Sequence, residues 1–311
     1  MKTIFTPILL LFSIVCFSQN LKSVMPIDLS FKQFLNCRDF TMSADGNEGY
    51  FTVQNLNENK SIIVKTLRKG KKWGSFEIVK FSGVYRDIEP FLSPNNLKLY
   101  FSSNRPNQGD KTNDYDIWYV ERKNTNSKWS EPKNIGAPVN TDFNEFYPSL
   151  STNNNIYYTS DQHAKTSKDD ILFAKWNGKN YDTPLRFDEN INGIGYEFNA
   201  YISPQEDFLL YSIYRAKDGL GSGDLYISFK NESGQFEKRK NLGKSVNSKF
   251  MDYCPYYDQK NKILYFTSKR DEIPQSEVNT LKDFTQMIEN YANGQSRIYR
   301  VTMDINTLKN K

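Results

Sequence analysis

The sequence predicts an all-β protein, a five-bladed β-propeller of four-stranded antiparallel blades. Three observations carry this. One phrase recurs: Asp87-Ile-Glu-Pro-Phe-Leu-Ser93, Leu99-Tyr-Phe-Ser102 and Asp116-Ile-Trp-Tyr119 return as Glu145 to Ser151, Ile156 to Thr159 and Asp170 to Phe173. They return again as Glu197 to Ser203, Leu209 to Ser212 and Asp224 to Ile227, with weaker copies starting at Cys37 and Asp252. The anchors Ser43, Ser93, Ser151, Ser203 and Asp258 lie 50, 58, 52 and 55 residues apart, a period typical of radially repeated short strands. Aromatic residues make up 15% of the chain although its mean hydropathy is low, as expected when short strands bury one ring after another and expose polar residues between them.

Met1 to Ser18 read as a secretory signal. Lys2 is the only charge before Gln19, Ile4 to Phe17 is nearly continuous apolar sequence, and Cys16 and Ser18 place small residues at −3 and −1. Cleavage is expected after Ser18, before Gln19. The apolar run is short for a membrane span. Lipidation at Cys16 is the less favoured alternative, because Val15 stands where a lipoprotein signal has a small residue. The mature chain, 19–311, is expected to be one propeller domain, periplasmic or secreted, with no transmembrane segment. Loss of Lys2 takes the net charge from +5 to +4. The basic residues are dispersed, which argues against a nucleic-acid partner. Their one cluster, Arg68-Lys-Gly-Lys-Lys72, reads as a hairpin turn.

The third copy shows how a repeat is built. Phe146 to Leu150 is a strand, Ser151 to Asn155 a polar turn, and Ile156 to Thr159 a second strand. After the polar loop Asp161 to Asp169, Asp170 to Trp176 is a third strand. Asn177-Gly178 makes a tight turn into the fourth, Tyr181 to Phe187. The fourth strand carries an aromatic and a proline, as in Trp129-Ser-Glu-Pro132 and Tyr181-Asp-Thr-Pro184; proline is tolerated on the outer edge of a blade and blocks edge-to-edge pairing.

The fifth copy has three strands, Tyr253 to Tyr257, Ile263 to Ser268 and Arg297 to Met303. The N-terminal segment Ser23 to Leu29 is expected to supply the fourth and close the ring, since Pro26 precedes Ser43 by 17 residues as Pro132 precedes Ser151 by 19. An insertion, Pro274 to Gln295, holds the one convincing helix, with Leu281, Phe284, Met287, Ile288 and Tyr291 at helical spacing. It reads first as a lid packed on the rim, and alternatively as a docking or pore-capping element.

The phrase Glu-x-x-Pro-x-x-Ser, turn, Leu-Tyr-Phe-x-Ser, then Asp-Ile-Tyr resembles the WD40-like PD40 repeat of TolB-type propellers. The segment Trp129 to Thr141 resembles the version found in exported envelope proteins of Bacteroidota, where it often precedes an OmpA-type domain. The resemblance covers nearly the whole mature chain and implies a propeller fold and an envelope setting. No OmpA-type, peptidase or secretion domain is recognised here, so attachment to peptidoglycan is not carried over.

Four carboxylates stand six residues before their anchors: Asp87, Glu145, Glu197 and Asp252, with Cys37 in the first copy. Pseudo-symmetry would set them round one mouth of the channel as an acidic ligand-binding ring, where like charges must be paired or share a cation. The competing reading is architectural: each acid caps a turn or pairs with Arg105, Arg215 or Arg270. A second repeated acid, Asp116, Asp170 and Asp224, with Ser61 and Arg297 in the other copies, reads as a local backbone binder.

Nucleophilic catalysis finds no support. His163 is the only histidine and no Gly-x-Ser-x-Gly elbow exists, so no metal site and no cofactor are expected. Glycosidases that use funnel carboxylates as acid and base remain a rival class, although such enzymes place unlike acids at unlike positions. Trp118, Trp129 and Trp176 are repeat positions and read as blade packing. Cys37 and Cys254 lie in neighbouring blades once the ring closes; they are either a disulfide stapling the closure or two buried thiols, with registers two residues apart. The expected function is that of a noncatalytic, monomeric binding scaffold for an envelope protein or glycan; the alternative is a glycoside hydrolase or glycan-binding propeller.

Overall fold

The structure is a computed structural model and describes residues 23–107, 114–163, 168–275 and 277–309. The segment 1–18 read as a signal, with Cys16, lies outside the described residues.

Five four-stranded antiparallel sheets make five blades. The first strand among the described residues is β1 (Met25–Pro26), followed by a 3-10 turn, Leu29–Gln33. Blade 1 is β2 (Cys37–Met42), β3 (Glu48–Gln54), β4 (Ser61–Lys69) and β5 (Lys72–Ile78). Blade 2 is β6 (Asp87–Leu92), β7 (Lys98–Ser103), β8 (Asp116–Glu121) and β9 (Lys133–Asn134). Blade 3 is β10 (Glu145–Leu150), β11 (Ile156–Ser160), β12 (Asp170–Ala174) and β13 (Leu185–Arg186). Blade 4 is β14 (Tyr196–Ile202), β15 (Phe208–Tyr214), β16 (Gly223–Phe229) and β17 (Lys240–Asn241). Blade 5 is β18 (Asp252–Asp258), β19 (Ile263–Ser268), β20 (Arg297–Thr302) and β1, which pairs with β20 through Met25↔Arg300 and Pro26↔Tyr299. The N-terminal segment thus closes the ring as the outermost strand of the last blade.

The closure is anchored by apolar burial. Phe31 is fully buried and its ring meets those of Phe34, Phe40, Phe51 and Phe76 at 4.8–6.5 Å. Asp28 starts the turn: its carboxylate accepts from Ser30 N–H at 2.9 Å and from Trp73 N–H at 3.2 Å, tying the closing segment to blade 1. Asp28→Ala should lower unfolding free energy by about 1 kcal/mol, the usual worth of such a cap; an unchanged urea midpoint would show that the cap is dispensable.

The fourth strands are shorter than the sequence predicts. In blades 2 and 3 the ladder is confined to Lys133–Asn134 and Leu185–Arg186, directly after Pro132 and Pro184. Proline has no N–H to give, which accords with pairing that begins beyond it in these two blades, although β17 is as short without one; Trp176 and Tyr181 keep only one isolated bridge. The predicted helix is α1 (Leu281–Ile288), followed near the C-terminus by the four-residue α2 (Asn306–Lys309). The helix α1 does not pack as a lid. Leu281, Phe284 and Ile288 are exposed, and only Tyr291, beyond its end, is buried against Tyr299.

Candidate functional site

Each innermost strand is broken by a β-bulge at the same place. The registers of β2, β6, β10, β14 and β18 all shift four to three residues before the anchor. The bulged residues are Asp39, Glu89, Tyr147, Asn199 and Cys254, with φ of 62°, 60°, 49°, 53° and 53°. None is glycine, and left-handed backbone is costly for such residues, so the surroundings must hold them. A hydroxyl of the preceding blade does so in three cases. Asp39 N–H donates to Thr267, Glu89 N–H to Thr52 and Asn199 N–H to Thr159, at 3.0–3.2 Å.

The bulge turns these five side chains toward the ring axis, where they meet residues of non-adjacent blades. Arg38 is the centre of the network. Its Nε donates to Asp39 Oδ1 at 2.7 Å, its Nη2 donates to Glu89 Oε1 at 2.7 Å, and Cys254 Sγ lies 3.5 Å from Nη2. Glu89 Oε2 accepts from Tyr147 N–H at 2.8 Å, and Asn199 Nδ2 lies 3.4 Å from Oε1. Cys254 Sγ donates to Asn199 Oδ1 at 3.4 Å, and Tyr147 Oη donates to Pro255 O at 3.1 Å. All five bulge residues are buried. Burial pushes the Glu89 carboxyl up to about 7, with Arg38 pulling it down and Asp39 pushing it up. The network plugs the channel.

The plug floors a cavity of about 260 Å³ at the mouth where the inner strands begin. Its walls are the residues one step before the bulge, Arg38, Ile88, Phe146, Phe198 and Tyr253, with Tyr115 and Asp169 beside them. Burial, with Asp161 and Asp170 nearby, raises Asp169 to about 6. The opposite mouth is a cavity of about 510 Å³ whose lining includes Met42, Phe91, Leu150, Tyr201 and Tyr256. Tyr201 and Tyr256 spend their hydroxyls on Tyr257 O and Met42 O, which leaves their rings as apolar wall.

The four acids singled out from sequence do not line the funnel cavity. Asp87 accepts from Ser103 Oγ and Arg105 Nη2, both at 2.6 Å. Glu145 accepts from Thr141 N–H and Oγ1 at 3.2 and 2.6 Å, and Glu197 from Gly193 N–H at 2.9 Å. Asp252 accepts from Ser248 N–H and Oγ and from Arg270 at 3.2 Å. Each carboxylate thus ties its own strand to the loop that leads into it or to a hydroxyl and a basic side chain of its own blade. Burial raises Glu197 and Asp252, and it raises Glu145 to about 8 against the Thr141 hydrogen bonds, with Asp116 and Asp114 adding to the rise. Among the described residues no three His, Cys, Asp or Glu side chains converge as a metal site.

The second acid series also serves the backbone and the blade edge. Asp116 accepts from Asn134, Asp170 from Arg186 through two bonds, and Asp224 from Asn241 and Gly221 N–H. The residue paired like Asp116 in blade 1 is Ile62, not Ser61: Val53↔Ile62 matches Ser103↔Asp116. The two cysteines are free thiols, both buried, and no disulfide joins them. The offset in register explains this, because Cys254 occupies the axial bulge whereas Cys37 sits two residues earlier, at the position of the repeated acids.

No protein-family model matches the chain, and no curated protein matches it. Solved structures do. A glycoside hydrolase matches at 10% identity over 86% of this chain and 86% of that one, with a TM-score of 0.55. An α-L-arabinofuranosidase from Podospora anserina, in complex with cellotriose, matches at 11% identity over 91% and 97%, with a TM-score of 0.53. TolB from Acinetobacter baumannii matches at 10% identity over 86% of this chain and only 55% of its own, with a TM-score of 0.47, too slight a likeness to argue from. At such identities the likeness is one of fold, and the chain is a five-bladed β-propeller.

Proposed function

We propose that this chain is a noncatalytic binding propeller of the cell envelope, exported by its N-terminal signal, and that its ligand, a glycan or a segment of an envelope protein, enters the aromatic-walled funnel. The observation that carries this reading is the state of Glu89. Both of its oxygens are engaged by protein groups, Oε1 by Arg38 and Asn199 and Oε2 by Tyr147 N–H. A carboxylate so occupied is a structural acceptor, whereas a general acid or base must present an oxygen to substrate. The funnel is then a rigid cup with one aromatic or apolar side chain from each of blades 2 to 5 on its wall.

A second reading rests on a specific observation. Glu89 and Asp169 line one cavity and both carboxyls titrate high, at about 7 and about 6, as a glycosidase acid and its partner would. The test is a panel of soluble glycans and envelope extract, read for both binding and hydrolysis, with Phe146→Ala, Phe198→Ala and Asp169→Asn beside the wild type. The binding reading expects capture without turnover, weakened about tenfold by each aromatic truncation. Turnover by the wild type that Asp169→Asn lowers by about a thousandfold would overturn it in favour of the hydrolase.

A further inference from the structure

Blade 1 departs from its neighbours where it meets blade 2. At the three following junctions an asparagine eleven residues before the anchor clamps the third strand of the preceding blade. Asn140, Asn192 and Asn247 each bond both the N–H and the C=O of Ile117, Ile171 and Leu225. At the first junction the residue is Ser82, whose shorter side chain reaches only Ile63 N–H, at 3.0 Å. The segment after it, turned by Gly83 at φ +117°, walls a groove of about 550 Å³ that the other wall, the ends of β3 and β4, completes. Where blade 5 meets blade 1 the position is Lys32, in the closing segment, so among the junctions between consecutive blades only the first lacks the clamp.

The lining of this groove mixes apolar side chains, Val53, Ile62, Val84 and Tyr85, with polar ones, and its charge is of one sign. Lys60 and Arg86 are its only ionised residues, and no carboxylate lines it. Among the described residues neither cation forms an ion pair. Gln54 and Ser61, paired across the strands and both buried, face the groove with Asn59 and Asn104. Gln54 Oε1, Ser61 Oγ and Arg86 Nε have no protein hydrogen-bond partner, so turning Ser61 Oγ toward a ligand forfeits no protein hydrogen bond of that atom, whereas swinging Arg86 takes its guanidinium off the Tyr115 ring 5.6 Å away. Tyr85 is 40% exposed, and its ring is backed by the Arg105 guanidinium 5.5 Å away. A fixed aromatic ring, side-chain amides and hydroxyl, and two cations without a carboxylate are the complement of a ligand with apolar ring faces, hydroxyls and a negative charge.

We propose that the groove between blades 1 and 2 binds an acidic saccharide, with Arg86 and Lys60 holding its carboxylate, Tyr85 meeting a ring face, and Gln54, Asn59 and Ser61 reading its hydroxyls. The site is separate from the funnel and stands whatever the funnel takes, although Arg86 borders both. It is tested on the mature chain by titration calorimetry with trimers of galacturonate, glucuronate and mannuronate, the methyl esters of the same trimers, and inorganic phosphate. At least one acid trimer should bind at least about tenfold more tightly than its ester, and more weakly as salt rises. Lys60→Gln and Ser61→Ala should each weaken it several-fold, while Phe146→Ala in the funnel leaves it unchanged. Lys60 is exposed, so its loss spares the fold, which the melting temperature verifies. Failure of all three trimers overturns the proposal. So does an ester that binds as well as its acid, phosphate competing on equal terms, or Lys60→Gln binding like the wild type.

Discussion

Thermal stability should fall as the pH rises from about 5 to 8, the opposite of what a protein held by ordinary surface ion pairs would show. The cause is a set of buried carboxyls whose protonated form the fold favours: Asp169 at about 6, Glu89 at about 7 and Glu145 at about 8. In the unfolded chain these groups lose their protons near pH 4. Between that pH and their folded values the native state therefore binds more protons than the unfolded one, and stability declines with each rise in pH. Their contribution is complete below the unfolded values and is lost as the pH passes through 6 to 8. One pKa unit is worth about 1.4 kcal/mol, so together they place a loss on the order of 3 kcal/mol or more across this window. Glu48, Glu58 and Glu206 are shifted the other way, since desolvation, which opposes ionisation, is outweighed by bonds to Arg122 and Lys65, to Lys269, and to Ser151, Asn155 and Lys230 respectively. Their stabilisation is present above the unfolded values and is lost as the pH falls below about 4.5, which sets the maximum near pH 5. Melts at pH 5, 6, 7 and 8 check the slope, and Glu145→Gln isolates one share of it. The amide can still accept from Thr141 and does not ionise, so this variant should be the more stable protein at pH 8 and show a shallower slope. A melting temperature that is flat or rises from pH 5 to 8 would mean that these carboxyls are ionised at no cost.

The blades were legible because their phrase is tied to burial. Tyr100 and Phe101, Tyr157 and Tyr158, and Tyr265 and Phe266 stand at the same step of each second strand and are buried in each. The closing strand was legible from a nearby proline, although Pro26 pairs with Tyr299 as Asn134 pairs with Trp118, two positions beyond the place of Pro132. The plug was not. Periodicity directs attention to positions that repeat, and the repeated acids Asp87, Glu145, Glu197 and Asp252 bond local loops and side chains of their own blades and do not line the funnel cavity. The axial position holds Asp39, Glu89, Tyr147, Asn199 and Cys254, five different residues in five copies. That irregularity was the available clue: one place in a repeated phrase where the chemistry changes in every blade is where five side chains must fit together around one axis. The bulge itself left a weaker trace, because left-handed backbone is visible in sequence mainly at glycine or asparagine, and only Asn199 qualifies. Ser61 was misplaced by one residue because β3 and β4 extend beyond the ladder end seen in blade 2.

Arg38→Met should cost about 3–5 kcal/mol of stability at pH 8, the range expected when one partner of a buried ion pair is removed. Arg38 is the only cation bonded to Asp39 and Glu89 among the described residues, and these two carboxylates are 1% and 4% exposed. Methionine fills the stem's volume but leaves two acids facing each other across the axis with Cys254 and Asn199 as neighbours. Arg38→Lys should recover little of the loss, because an ammonium presents one point of charge where the guanidinium fork reaches Asp39 through Nε and Glu89 through Nη2 at once. The decisive comparison is Arg38→Met with Glu89→Gln and Asp39→Asn added. If the cost of Arg38→Met is that of stranded charge, the triple variant should regain at least half of it in urea unfolding, and the single variant should regain part of it on acidification to pH 5, where Glu89 takes up its proton. If the triple variant is as unstable as the single one, the arginine acts by packing against Tyr253, whose ring lies 5.1 Å from its guanidinium, and the charges are incidental. The two outcomes differ for function as well. A plug held by charge would rearrange about Arg38 as Glu89 gains or loses its proton near pH 7, and carry the floor of the funnel with it. A plug held by packing would keep the same cup at every pH the protein survives.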